Sequence, residues 1–146
     1  MIRFAFTLAT GIAFAFPALA AVDIQEVTSP GGIKAWLVEE HSIPFTALEI
    51  RFKGGASLDA EGKRGAINLM SGLLDEGAGD LDSRAFSAAR ENLAASIRFN
   101  ASDDAVSVSA RFLTENRAQA VDLIRMAVTE PRFDEDAIDR VRGQVL

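Results

Sequence analysis

The chain has 146 residues, 49% of them hydrophobic, a formal net charge of −6 and no cysteine. The acidic balance, with no basic run anywhere, argues against nucleic acid as a partner, because phosphate backbones demand clustered Lys and Arg. Without cysteine there are neither disulfides nor thiolate metal sites, so stability rests on the apolar core.

Residues 1–20 read as a secretory signal peptide. Arg3 is the positive n-region, Phe4 to Phe16 the mostly apolar h-region, and Pro17 the break. Ala18-Leu19-Ala20 then supplies the small residues that a signal peptidase reads. The apolar run is too short for a bilayer span, which takes about 20 residues, so no stable membrane anchor is expected. Cleavage after Ala20 removes Arg3, takes the formal charge to −7 and predicts a periplasmic or secreted protein.

Three strands are predicted next, Ile24 to Thr28, Ile33 to Glu39 and Phe45 to Lys53, the first two joined by the turn-forming Ser29-Pro30-Gly31-Gly32. In the third, Leu48, Ile50 and Phe52 form one apolar face, as a half-buried strand requires. A helix over about 62–75 carries Ala66, Ile67, Met70, Leu73 and Leu74 at helical spacing, with Gly77 as its C′ residue. Asp82 or Ser83 caps a second helix to about Leu93. Strands follow at Ser96 to Ala101 and Ala105 to Leu113, with Asp103 and Asp104 in the turn between them. Thr114 is expected to cap a third helix striped by Ala120, Val121, Ile124, Ala127 and Val128, stopped by Pro131. Asp134 is expected to cap a last helix carrying Ala137, Ile138 and Val141.

This pattern predicts an α+β fold, a mixed, largely antiparallel sheet with helices packed on it. The chain stops inside the last helix without a capping signal. Residues 21–146 are therefore read as the N-terminal part of a longer domain.

Several segments together resemble the first part of an insulinase/pitrilysin/mitochondrial processing peptidase domain. They are GGIKAWLVEEHSIPFTALEIRFKGGASLDAEGKRG, the helix GAINLMSGLLDEGAG, RFNASDDAVSVSARFL and AVTEPRFDEDAIDRVRGQVL. In that superfamily such a helix carries an inverted zinc motif, H-x-x-E-H. Laid on the family's glycine-to-glycine frame, the motif positions fall on Asn68, Ser71 and Gly72. An amide is a weak, neutral zinc ligand, a serine hydroxyl is no base near neutral pH, and glycine offers nothing, so the ligand count fails.

The resemblance therefore implies a non-catalytic homologue with no zinc of its own. Related two-subunit peptidases pair an active, zinc-bearing chain with a degenerate one, the two enclosing an extended peptide. A zinc-bearing paralogue and a peptide substrate are thus the expected partners. Asn100-Ala101, at the end of SIRFNA, matches the Asn-Ala pair on the edge strand with which active relatives bind substrate backbone. Two alternatives stand beside this one. One is an active zinc endopeptidase with its catalytic site in a further domain, the other a periplasmic peptide-binding scaffold without a partner.

Two local clusters read as ordinary surface. His41, the single histidine, is expected in an exposed turn. Asp75, Glu76, Asp80 and Asp82 lack the spacing of a calcium loop and read as a solvated helix end.

Overall fold

The computed structural model describes residues 22–145 and divides into two units, one up to His41 and one from Ser42 onward. The signal-peptide assignment lies outside the described residues.

The first unit is a hairpin of β1 (Gln25–Thr28) and β2 (Lys34–Leu37), paired antiparallel from Gln25↔Leu37 to Thr28↔Lys34. Ser29 shapes its turn, its carbonyl accepting from Gly32 N–H and its hydroxyl from Ile33 N–H. The strands are shorter than predicted because only these four residue pairs meet.

In the second unit, β3 (Phe45–Lys53), β6 (Ser96–Ala101) and β7 (Ala105–Leu113) form an antiparallel sheet in the order β3-β7-β6. All three match the sequence prediction to the residue. Alternation decides which face is buried. Val106, Val108, Ala110 and Phe112 of β7 point inward together with Ile97 of β6. Ile97, Val108, Ala110 and Phe112 meet α2 (Ser83–Asn92) and α3 (Arg117–Thr129) through Phe86, Ala120, Leu123, Ile124 and Ala127. Each large side chain fully buried here is worth about 1.5–3 kcal/mol. Phe86 and Val108 are the largest such residues. Gly55, which follows β3, is required by close approach. A Cβ there would lie 2.0 Å from the Ser102 carbonyl oxygen in the β6–β7 turn.

A second, smaller core joins α1 (Ala66–Leu73) to α4 (Glu135–Val145), through Leu73, Ala137 and Val141. Gly72 lets these helices approach, since a Cβ on it would sit 3.1 Å from a Val141 methyl group.

Four expectations are corrected. The α1 helix begins at Ala66 rather than near 62, because Gly62 and Gly65 adopt φ of +72° and +94°. The Asp59 carboxylate closes that turn by accepting from Gly65 N–H at 2.7 Å and Ile67 N–H at 3.0 Å. Gly77 is not a C′ residue. It opens β4 (Gly77–Ala78), which pairs with β5 (Leu81–Asp82) in a two-residue hairpin too short to leave a periodic signal. Thr114 starts a 3-10 turn instead of capping α3. Asn116 stands at the N-cap and donates from its amide to the Leu93 carbonyl, tying α3 to the end of α2. The buried stripe of α3 includes Leu123 and leaves Val121 exposed. Of the two caps expected for α2, Asp82 or Ser83, it is Asp82 that caps, accepting from Ala85 N–H at 2.8 Å.

Candidate functional site

The strand β6 ends the sheet, and among the described residues β7 is its one neighbour. Along its other side runs a groove of about 450 Å³. Its walls are Ser71, Gly72 and Asp75 from α1 and the turn after it, Arg90 from α2, and the unbroken run Ala95 to Asn100. Consecutive residues of both parities line it, so the strand presents its backbone edge here rather than one of its faces. A free edge offers unpaired N–H and C=O groups to an added strand.

The groove brings together three of the residues singled out in the sequence. Ser71 and Gly72 stand across from Asn100, while Asn68, one turn earlier on α1, is exposed and off the lining, and the half-buried Ala101 is off it too. Ser71 is 3% exposed, and its hydroxyl is the one buried side-chain polar atom without a hydrogen-bond partner among the described residues. A buried polar atom left unpaired costs roughly 1–3 kcal/mol, so each such case calls for a reason.

Sequence reasoning missed Arg90 and gave Asp75 no role in the groove. Arg90 donates to Asp75 at 3.3 Å, with both side chains partly buried. Burial pushes the Asp75 carboxyl above its usual range, the Arg90 guanidinium works against that rise, and the neighbouring Glu76 adds to it. The two residues stand fifteen apart on different elements, a separation with no local periodicity to betray it.

The acidic cluster is not merely a solvated helix end. Asp75 holds Arg90, Asp82 caps α2, and Glu76 accepts from Ser83 Oγ at 2.6 Å and from the Arg140 guanidinium of α4. Asp80 alone of the four is exposed without such a bond. His41 lies in the first unit with its side chain 84% exposed, as expected.

The donor set does not fit a resident zinc ion. At the three motif positions stand an exposed amide, a buried hydroxyl and no side chain. Among the described residues, no three His, Cys, Asp or Glu side chains gather closely enough to hold a metal. The groove lacks the side chains that metal-assisted hydrolysis needs.

The chain belongs to the insulinase family, peptidase family M16, whose sequence profile matches residues 34–146. It is 26% identical, over all its 146 residues, to a curated relative from Helicobacter pylori described as the non-peptidase homologue YmxG. The chain spans 33% of that relative's length.

Among solved structures, it resembles a peptidase M16 inactive domain from Pseudomonas fluorescens with a TM-score of 0.78 and 28% identity, covering 86% of this chain and 31% of that one. Pitrilysin shares the fold with a TM-score of 0.72 at 17% identity, over 88% of this chain and 14% of its own. A protease from Helicobacter pylori does so with a TM-score of 0.71 at 16% identity, over 86% and 30% of the two chains.

Proposed function

We propose that the protein is an exported, non-catalytic member of the insulinase family, one subunit of a two-subunit peptidase that encloses extended peptides. The observation that carries this reading is the groove between α1 and β6. It keeps a free strand edge and Asn100, yet has Ser71 and Gly72 where the family's base and second ligand would stand. The inactive-domain and non-peptidase descriptions of two of its relatives support it.

In this reading the chain does no bond chemistry. Backbone groups of β6 accept a peptide strand, the unpaired Ser71 hydroxyl is available to a peptide carbonyl, and hydrolysis belongs to a zinc-bearing paralogue. The substrate strand would be held by main-chain hydrogen bonds, which are indifferent to sequence.

Two experiments test the reading. Pull-down of the full-length protein from its own periplasm should recover a paralogue with an intact zinc motif, and recovery of homo-oligomers alone would count against the subunit role. Strand addition needs donors on the incoming peptide. A bound peptide N-methylated at alternate residues along its pairing edge should therefore lose affinity by about tenfold or more. Unchanged binding would remove β6 as the docking edge.

A further inference from the structure

The sheet face turned away from the helices separates charge from the rest of the molecule. Three cross-strand rows build it: Ser96, Arg111 and Ala47; Arg98, Ser109 and Glu49; Asn100, Ser107 and Arg51. Lys53 continues the same face two residues beyond Arg51. All four basic side chains belong to exposed residues, and among the described residues none pairs with a carboxylate. The single acid on the face, Glu49, accepts from the Ser109 hydroxyl in the middle of the sheet. The next acids, Asp103 and Asp104, sit in the turn at the sheet's end.

A chain of net charge −6 thus presents four cations against one anion on a single open surface. This surface adjoins the groove directly, because Arg98 lines both the groove and the hollow formed with Glu49, Ser109 and Arg111. Within the groove itself Arg90 is already neutralised by Asp75, so Arg98 is its one unpaired charge.

A peptide added beside β6 alternates its side chains between the two faces of the sheet, with neighbouring strands about 4.8 Å apart. Every second side chain therefore falls beside Ser96, Arg98 and Asn100, with Arg111 one strand further in. At physiological salt, charges act over about 8 Å, so both guanidinium groups bear on those positions.

We propose that the strand accepted along β6 is acidic, with carboxylates at alternate positions on the side of the basic sheet face. The proposal rests on the reading of β6 as a peptide-accepting edge. It adds the chemical class of the peptide, which main-chain pairing cannot choose. Electrostatic complementarity of this kind governs partner selection and association rate more than total affinity.

The test uses the full-length protein and three labelled peptides of equal length, alternating Glu-Thr, Gln-Thr and Lys-Thr, read by fluorescence anisotropy. The Glu peptide should bind about tenfold tighter than the Lys peptide at low salt. That preference should collapse near 0.5 M salt, where the screening length falls to about 4 Å. It should also collapse in Arg98→Gln and in Arg98→Glu/Arg111→Glu, both surface changes whose folding is checked by thermal melting.

Equal affinity for the three peptides, or a preference for Lys, would overturn the charge inference and leave strand addition standing. No binding by any peptide would remove both. An oligonucleotide bound as tightly as the Glu peptide would show a general polyanion surface and overturn the choice of peptide.

Discussion

Ser71 carries a tension that a single substitution can expose. Its hydroxyl is buried without a partner, so Ser71→Ala removes an unsatisfied group and places the best helix former in α1. The variant should gain about 1 kcal/mol, visible as a higher melting temperature and denaturation midpoint. If the hydroxyl serves a peptide carbonyl, the same variant should bind peptide more weakly. Loss of stability would mean that the hydroxyl is satisfied in the folded protein, and the case for its role in the groove would fall.

Asp75 makes a second prediction at this scale, in its pH dependence. Burial raises its pKa above the ordinary 3.8 despite Arg90, so the folded protein holds this proton more tightly than the unfolded chain does. The stability that follows is complete below the unfolded value and is lost as pH rises through the raised folded value. Asp75→Asn cannot ionise and still offers Arg90 a carbonyl oxygen. Denaturant titrations should show the variant gaining on the wild type as pH rises from below 3.8 through the raised folded value, with the difference level above it. A constant difference across that range would mean that the carboxyl ionises equally easily folded and unfolded.

Elements were legible where their signals are periodic and local. The alternation of Val106, Val108, Ala110 and Phe112 and the turn at Asp103-Asp104 place β6 and β7 to the residue, since a strand with one buried face fixes its own register. The Asp82-Ser83 pair announced the start of α2 through the chemistry of capping, and Asp82 is the residue that caps. Its replacement by Ala should cost about 1 kcal/mol, with Ser restoring most of the loss, as measured by chemical denaturation. No loss would mean that Ala85 N–H finds water as readily as the carboxylate.

What the sequence concealed are contacts that depend on distant partners. The carboxylate of Asp59 delays the start of α1, Asn116 reaches the Leu93 carbonyl 23 residues away, and Glu76 meets Arg140 across 64 residues. The site was legible in part for the same reason. The glycine frame of the motif helix located Ser71 and Gly72, and Asn100 closes β6. The frame also placed Asn68, which the helix turns away from the groove, and it could not show that Arg90 and Arg98 stand there.

At the scale of the molecule, sheet, helices and groove belong to the insulinase family, while the motif positions hold an amide, a hydroxyl and glycine. This chain spans about a third of its curated relative. The function proposed above is therefore a property of the full-length protein and its partner. The apolar stripe of α1 persists beside the missing ligands, with Leu73 packed on Ala137 and Val141 of α4.

The most direct measurement is the zinc content and peptidase activity of the full-length protein, alone and mixed with a zinc-motif homologue from the same cell. The account predicts no stoichiometric metal and no hydrolysis from the protein alone, with activity gained or enhanced on mixing. Bound zinc with hydrolysis by the protein alone would place a catalytic centre outside Asn68, Ser71 and Gly72 and contradict the subunit role.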